Sequence, residues 1–312
     1  MATVRCHAEN RSAPLALIFT ADDFGRDEAI NRAARRAHQE GVLTAASLMV
    51  AEAACAQAVE MAKATPTLAV GLHIVAIDGA SVLGHKALPH ITRPDGRFPA
   101  DSYGLGMRYT FSRVAREELA RELEAQFERF AETGLSLAHA DGHYHMHMHP
   151  MILPIFLRLA ETFGARGFRL PNDDLRIALN YNRSRLALNL LWGFYYAALL
   201  RWGRKIVAAS PLARTDRVYG LFQTGRMTED ALLHLLRSIP PEVKTAEIYC
   251  HPSERDLGEP GGPNPGDLAT LLSPRVREAL DAMGARRVSY RDLTCDAPQS
   301  CVAHERLPGG GG

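Results

Sequence analysis

The chain begins with a regular alternation of short apolar runs and segments with the apolar spacing of helices. The apolar runs span 15–20, 44–50 and 68–74, and the helical segments 27–40 and 52–64 lie between them. Strands joined through a helix pair in parallel, because the crossover returns the chain to the same end of the sheet. The sequence therefore predicts a parallel α/β fold.

The same alternation resumes after a long polar insertion at about 78–110. Further strands are predicted at 135–140, 167–170, 217–222, 245–250 and 287–290, and further helices at 114–131, 151–163, 228–238 and 273–283. About seven or eight mostly parallel strands favour a single deformed (β/α) barrel. We expect flexible segments at 1–14 and 295–312, with the barrel domain at 15–294 between them.

Composition argues against several classes of protein. Lys and Arg number 36 against 35 Asp and Glu, so the net charge of +1 offers no field for binding nucleic acid. No glycine-rich nucleotide-binding motif follows a predicted strand. The five cysteines form no Cys-x-x-Cys pair, and the sequence shows neither a signal peptide nor a membrane-spanning apolar run. We expect a protein of the reducing cytoplasm.

Side chains that bind metals or transfer protons follow several predicted strands. Asp22 and Asp23 follow the first strand, and His73 lies near the end of the third. The carboxyl ends of parallel strands form the active-site face of such folds. Two adjacent buried acids are costly unless they are paired, hydrogen-bonded or bound to a metal, although one of them could instead cap the next helix.

A histidine tract follows the fourth predicted strand. Five of the thirteen histidines lie within the eleven residues 139–149. Four of them share one parity, so an extended tract would project their imidazoles to one side: His143, His145, His147 and His149. Neutral imidazole is the commonest metal ligand in proteins, which favours a functional metal site over an adventitious surface tract.

Two further residues follow later strands. His251, next to Pro252, is a candidate proton donor or a packed loop residue, and Arg169 could orient an aspartate or pair with Asp173 or Asp174. An Asp/His/His ligand set leaves coordination positions open for water, as catalytic metal sites require. A spare aspartate is then a natural general base and a histidine a natural acid. The pattern predicts a metal-dependent hydrolase.

Five motifs occur in a characteristic order along the chain. They are TADDFG (20–25), GLHI (71–74), HADGHYHMHMHP (139–150), RLP (169–171) and CHP (250–252). Together they resemble the YdjC/ChbG family of carbohydrate deacetylases. The phrase TAASLMV (44–50) resembles the hopanoid-biosynthesis branch, HpnK, whereas Asp141 and Gly142 resemble the chitooligosaccharide members. The resemblance implies removal of acetyl from an N-acetylglucosamine-type sugar on a hopanoid glycolipid or, alternatively, on a soluble chitooligosaccharide.

The resemblance also implies roles for individual residues. It makes a divalent metal ion, zinc or magnesium with manganese or cobalt as alternatives, the cofactor of three ligands: Asp23, His73 and His143. It makes Asp22 the base and His251 the acid, with Arg169 orienting Asp22. Four residues would support the ligands or contact the sugar: His139, Asp141, His145 and His147.

The segment 175–215 contains no acidic residue. It holds seven basic residues and both tryptophans, Trp192 and Trp202, around an apolar stretch at 186–200. Such a composition suits a helix at a membrane interface with flanking cations, or an insertion that gates the substrate. The segment could instead be a barrel helix with a buried face, or the seam of a homodimer. If it binds lipid, we expect peripheral contact with the inner membrane face.

Two other classes of protein remain open from the residues alone. A metal-dependent phosphoesterase or amidohydrolase often carries His-x-His after its first strand, whereas Asp22 and Asp23 occupy that place here. A non-catalytic, membrane-peripheral metal-binding protein would leave Asp22 and His251 without a task.

Overall fold

A curled parallel sheet forms the centre of the computed structural model, which describes residues 13–294. Apart from positions 13 and 14, the predicted flexible segments 1–14 and 295–312 lie outside the described residues. In that part of the chain the strands are β1 (Ala16–Phe24), β2 (Ala45–Leu48), β3 (Ala69–Ile74), β4 (Ala140–Gly142), β5 (Arg217–Tyr219), β6 (Thr245–Cys250) and β7 (Arg286–Arg287). Their order is β4-β3-β2-β1-β6-β5, with β7 paired to β1, and all pairs are parallel.

Ten α-helices flank this sheet within the described residues. They are α1 (Glu28–Glu40), α2 (Cys55–Ala64), α3 (Ser102–Phe111), α4 (Arg113–Glu132), α5 (Leu153–Thr162), α6 (Leu175–Tyr181), α7 (Leu186–Ala209), α8 (Glu229–Ser238), α9 (Pro265–Leu272) and α10 (Pro274–Ala282). Short 3-10 helices span His143–Met148 and Tyr290–Asp292. Their starts follow sequence rules: the Asp27 carboxylate, for example, accepts the Ala29 N–H and begins α1. The α/β fold with a deformed barrel is therefore confirmed.

One predicted strand, 167–170, is reduced to isolated bridges that bring the two sides of the sheet together. The N–H of Ala140, the first residue of β4, donates to the Gly167 carbonyl at 3.0 Å. The Phe168 N–H donates to the Ala213 carbonyl at 2.9 Å, shortly before β5. The segment thus links the edge strand β4 with the chain that enters the opposite edge strand. This explains how the sheet curls toward a barrel with an irregular seam.

The first strand does not end at residue 20, as predicted, but continues through Asp22 and Asp23 to Phe24. The register with β2 shifts between Ala21 and Phe24, and Asp23 has a left-handed backbone with φ 63°. Successive strand side chains normally point to opposite faces, and a bulge of this kind re-aims one of them. The irregularity therefore lets two adjacent aspartates serve one site.

Two other predictions need correction. The fourth strand is Ala140–Gly142 rather than 135–140. The segment 78–110, predicted as a polar insertion, contains most of α3 and buries Leu88, Ile91 and Phe98 in the core. The sequence did not predict that these apolar residues are buried, because they are scattered among polar ones and follow neither a helical nor a strand period.

The basic segment 175–215 forms α6 and the 24-residue α7. Only a narrow stripe of α7 is buried, and it consists of Asn189, Tyr196, Gly203 and Val207. This stripe is a buried face, and Leu199, Leu200 and Ile206 beside it pack partly buried against the core. Within residues 13–294, no helix combines the length and apolarity needed to cross a bilayer.

Candidate metal and acid–base site

The carboxyl ends of β1 and β3 and the start of the 3-10 helix after β4 bring Asp23, His73 and His143 together. One ligand atom from each lies within 4.8 Å of the others, and all three residues are buried. Asp23 Oδ1 is 3.0 Å from His143 Nδ1 and 3.6 Å from His73 Nε2. Ligand atoms that share a zinc ion at bond lengths near 2.1 Å lie roughly 3 to 3.5 Å apart. This group can hold a metal ion.

The hydrogen-bonding state of these side chains supports the same conclusion. Asp23 Oδ1 is buried and makes no aligned hydrogen bond, and His143 Nε2 is buried without a partner. Buried polar atoms normally have a hydrogen-bond partner. A buried carboxylate oxygen that lacks one and faces two imidazole nitrogens is therefore suited to bind a cation. Asp23 Oδ2 is already engaged, because Arg26 Nη1 lies 3.4 Å away.

His73 is oriented by a second carboxylate. Its Nδ1 lies 2.8 Å from Asp141 Oδ1, so a proton on Nδ1 would leave the Nε2 lone pair facing Asp23. A carboxylate behind a ligating imidazole fixes its tautomer and raises its basicity. Burial alone would lower the pKa of His73, but Asp141, followed by Asp22 and Asp23, outweighs it and raises that pKa.

Asp141 is held in turn by Ser47, and the predicted supporting residue His139 lies behind Ser47. Ser47 Oγ donates to Asp141 Oδ2 at 2.9 Å and lies 3.0 Å from His139 Nε2. His139 itself stacks on Tyr290, with ring centroids 4.9 Å apart. A Cβ atom at Gly71 would collide with the His139 ring, which explains glycine in the GLHI motif.

Arg169 is the cationic centre of the site and is fully buried. Its Nη1 and Nη2 each donate to one oxygen of Asp22 at 2.7 Å, a bidentate pair. The same Nη2 lies 2.9 Å from Asp141 Oδ2 and 2.8 Å from Glu247 Oε1. Arg169 therefore orients three carboxylates, and it contacts neither Asp173 nor Asp174, the alternative partners considered from sequence.

The charges around Arg169 do not balance. Four buried carboxylates, Asp22, Asp23, Asp141 and Glu247, share two guanidinium groups, Arg169 and the partly buried Arg26. Burial alone would raise the pKa of Asp23, but the charges of His143, His251 and His73 hold it well below its ordinary value. The surplus of negative charge again favours a bound cation.

His251 directly follows β6 and lies near Asp22. Its Nε2 is 4.0 Å from Asp22 Oδ2, and its side chain is 13% exposed. Its backbone N–H donates to Asp267 Oδ2 at 2.9 Å, which fixes the loop. Asp22 and His251 are therefore close enough to act on two sides of one reacting group.

The histidine tract is not extended, so the parity argument does not apply to it. The tract is a kinked 3-10 segment in which Tyr144 and His145 have positive φ angles. His145 Nε2 lies 2.9 Å from the Tyr249 hydroxyl, and His147 Nε2 lies 3.0 Å from the Arg169 carbonyl. Burial holds the pKa of His145 well below its ordinary value and lowers that of His147 to about 4.

Sequence reasoning missed several residues of the site. Glu247 accepts from Arg169, from Thr20 Oγ1 at 2.7 Å and from the Tyr290 hydroxyl at 2.7 Å. Tyr249 lies under the Arg169 guanidinium, 4.6 Å from carbon to ring centroid. A glutamate inside the apolar strand TAEIYC was a signal for Glu247, because a buried acid needs a donor. No sequence pattern pointed to Ser47.

Known proteins resemble this chain along most of its length. A carbohydrate deacetylase of Vibrio campbellii is 36% identical over 286 residues, which span 89% of this chain and 96% of that protein. A chitooligosaccharide deacetylase of Klebsiella pneumoniae is 30% identical over 283 residues, which span 89% of this chain and 98% of that protein.

A solved structure shares the fold of this chain, and a family profile matches most of its length. A protein of Enterococcus faecalis V583, provisionally described as a cellobiose-phosphate cleavage protein, superposes with a TM-score of 0.70 at 24% identity. The superposition covers 90% of this chain and 100% of that one, and it supports the fold alone. The profile of the YdjC-like protein family matches residues 16–282. The chain therefore belongs to the YdjC-like family.

Proposed function

We propose that the protein is a metal-dependent N-deacetylase, a hydrolase that removes acetyl from an N-acetylated amino sugar. The observation that carries the proposal is that two adjacent aspartates have different surroundings. Asp22 is clamped by Arg169, whereas Asp23 faces two imidazoles with an unsatisfied oxygen. The names of the relatives, carbohydrate deacetylase and chitooligosaccharide deacetylase, support the same reaction.

In this proposal Asp23, His73 and His143 hold a divalent cation. The Lewis acidity supplied by such a cation polarises the acetamide carbonyl and makes a nearby water molecule easier to deprotonate. Two imidazoles and one carboxylate suit zinc, and magnesium, manganese and cobalt also accept mixed ligands of this kind. Asp141 keeps the His73 ring in the ligating orientation through their 2.8 Å contact.

Asp22 acts as the general base. Its two oxygens accept from Arg169 at 2.7 Å each, which fixes the carboxylate plane and leaves further lone pairs for a water proton. Because Asp22 and Asp23 are neighbours in β1, the base lies directly beside the ligand set. Asp22 takes the proton of the attacking water as the tetrahedral intermediate forms at the acetyl carbon.

His251 acts as the general acid. A protonated Nε2, 4.0 Å from Asp22 Oδ2, is in a position to give its proton to the departing sugar nitrogen. Loss of acetate then leaves a free amine on the sugar. Tyr144 is 59% exposed, and its ring centroid lies 4.4 Å from that of His143, so it provides an exposed aromatic ring beside the ligand set.

We propose a lipid-linked sugar of the hopanoid type, as the HpnK-like phrase TAASLMV indicates, as the natural substrate. The alternative is a soluble chitooligosaccharide, which the Asp141-Gly142 pair and the name of the Klebsiella pneumoniae relative favour. A non-catalytic metal-binding role is less well supported, since Arg169, Asp22 and His251 form an arrangement that metal binding alone does not need.

We propose peripheral contact with an anionic membrane through 175–215 as part of this function. On α7 the residues Leu191, Phe194 and Tyr195 are 64%, 73% and 46% exposed. The cations Arg201, Arg204 and Lys205 follow them on exposed positions. Exposed aromatic residues beside cations, without acids, match the chemistry of an anionic bilayer surface.

Mass spectrometry of two candidate substrates tests the proposed reaction. The metal-loaded protein is incubated separately with an N-acetylglucosaminyl lipid and with chitobiose. We expect the loss of one acetyl group and the release of acetate from at least one of them, and no reaction after chelation. Retention of every acetyl group on both substrates, with metal bound to the protein, would reject the deacetylase.

A further inference from the structure

Tyr144 differs from its neighbours in the 3-10 helix His143–Met148 because its side chain is exposed. The residues on either side of it, His143 and His145, are both buried. The Tyr144 ring centroid lies 4.4 Å from that of the candidate ligand His143, at an interplanar angle of 66°. A tyrosine kept in solvent between two buried residues gains little from the packing of the protein itself. The ring is therefore available to a molecule that enters the site.

The backbone at Tyr144 is held in a conformation that tyrosine seldom adopts. Its φ of 51° and ψ of 25° lie in the left-handed region, where the Cβ atom of an L-residue crowds the following carbonyl oxygen. Within residues 13–294, the residues other than glycine with a positive φ are Asp23, Asp78, Tyr144 and His145. Backbone strain of this kind persists where the surrounding structure holds it in place, and it concentrates at ligand-binding sites. The left-handed turn keeps the Tyr144 ring in solvent while the adjacent histidines stay buried.

A second strained residue fixes the position of the ring. Asp78, which follows β3, has a φ of 45° and is only partly buried. The Tyr144 hydroxyl donates to Asp78 Oδ2 at 3.3 Å, so the segments that follow β3 and β4 meet at this bond. A carboxylate has about four acceptor positions, and Tyr144 occupies one of them. An aromatic ring and a carboxylate with further acceptor positions thus lie side by side next to the ligand set.

A sugar ring offers the groups that complement such a pair. Each face of a pyranose carries C–H groups, which pack against the negative face of an aromatic ring, and hydroxyl groups surround its edge. A carboxylate accepts a hydrogen bond from a hydroxyl group more strongly than a neutral acceptor does. In an N-acetylated amino sugar one nitrogen joins the acetyl carbon to the ring carbon, so these two carbons are about 2.4 Å apart. A sugar whose acetyl group reaches the ligand set must therefore place its ring against the residues beside that set.

We propose that Tyr144 and Asp78 form a sugar platform: the pyranose ring of the reacting amino sugar lies against the Tyr144 ring and donates a hydroxyl hydrogen bond to Asp78. This inference rests on the proposed deacetylase function and adds the residues that recognise the sugar ring. The platform binds the ring and takes no part in proton transfer, which stays with Asp22 and His251. It serves a lipid-linked and a soluble sugar alike, because both carry the same ring.

Removal of the aromatic ring tests the platform. Glycine adopts a positive φ freely, so Tyr144→Gly removes the ring without adding backbone strain. We expect this variant to lower kcat/KM for acetate release from chitobiose about tenfold, mainly through KM, as when roughly 50 Å² of apolar surface loses its partner. Tyr144→Phe keeps the ring and should stay within about threefold of the unmodified, metal-loaded protein. Unchanged kcat/KM in Tyr144→Gly would overturn the platform while leaving the deacetylase intact.

A binding measurement tests the platform apart from catalysis. The disaccharide of glucosamine carries sugar rings but no acetyl group, so isothermal titration of the metal-loaded protein with it measures binding alone. We expect saturable binding that Tyr144→Gly weakens about tenfold without changing the metal content, and that Tyr103→Ala, which removes an exposed ring from α3, leaves unchanged. Equal binding by Tyr144→Gly, or no binding by the unmodified protein, would overturn the platform. Binding that depends on Tyr144, without turnover of any N-acetylated sugar, would count against the proposed function instead.

A double variant separates sugar binding by Asp78 from support of the Tyr144 ring. Asp78→Gly removes the carboxylate and accommodates the φ of 45°. In Tyr144→Phe there is no hydroxyl for Asp78 to hold, so a carboxylate that only supports the ring has no further effect there. We expect Asp78→Gly to weaken binding of the disaccharide about threefold even in the Tyr144→Phe background. Equal binding by Tyr144→Phe and the double variant would overturn the contact assigned to Asp78.

Discussion

The site around Arg169 and helix α7 differ in which side chains they bury: the first buries charged groups, and the second exposes apolar ones. Around Arg169, which is 0% exposed, carboxylates are buried because each has a donor. On α7 the amide of Asn189 faces the protein, while Phe194 and Leu191 are 73% and 64% exposed. Buried charge and exposed apolar surface both cost free energy in isolation. A partner would lower this cost in each region, and we propose a cation for the first and an apolar or lipid surface for the second.

The strongest test of the first region separates the two aspartates. We expect Asp22→Asn to lower kcat by about 10²–10⁴-fold, the usual contribution of a general base, while metal content stays unchanged. Acetate release and metal analysis measure the two quantities. Asp23→Asn is the matched variant and should lose the metal as well as the activity. Near-normal turnover in Asp22→Asn would remove this residue from the mechanism.

The stability of the first region depends on its one fully buried guanidinium. We expect Arg169→Met to lower the free energy of unfolding by about 3–5 kcal/mol, since it removes the cation that three buried carboxylates share. Chemical denaturation of the metal-free protein measures this loss. Arg36→Met removes an exposed pair with Glu40 and should leave stability unchanged within error. A similarly small effect at position 169 would show that the buried carboxylates do not rely on Arg169.

The pH dependence of metal binding tests the charge surplus. Asp141, Asp22 and Asp23 raise the pKa of His73, and the metal requires the deprotonated ring. Metal affinity should therefore fall as pH drops below this raised pKa, by about tenfold per pH unit for one competing proton. Titration calorimetry at several pH values measures it. Asp141→Asn removes the main cause of the shift and should move the decline to lower pH, whereas a pH-independent affinity would exclude His73 as a ligand.

The smallest expected effect concerns the second region. Arg204→Gln on α7 should weaken binding to vesicles containing phosphatidylglycerol about fivefold, as expected for one cation near an anionic surface. Co-sedimentation with and without the anionic lipid measures this change. Arg113→Gln on α4 removes an exposed cation elsewhere and serves as the control. If the unmodified protein binds neither kind of vesicle, the apolar face of α7 has some other partner.

The sequence predicted much of the fold but fewer of the contacts between side chains within the site. Apolar runs predicted the parallel strands, because burial on both faces leaves a continuous signal. The bulge at Asp23 and the bridges at 167–168 were not predictable, since both arise from closing the sheet rather than from local preference. The motifs predicted which residues meet, whereas the joining of Glu247 and Asp141 through Arg169 depends on contacts between distant strands.

The unequal count of buried acids and guanidinium groups links metal occupancy to folding. Four carboxylates around two guanidinium groups make the metal-free interior electrostatically expensive. A ligand that binds only the folded state stabilises it in proportion to the logarithm of its concentration. A cation in this site would act as a structural counter-ion besides its chemical task, so that starvation for metal would lower the amount of folded protein as well as turnover.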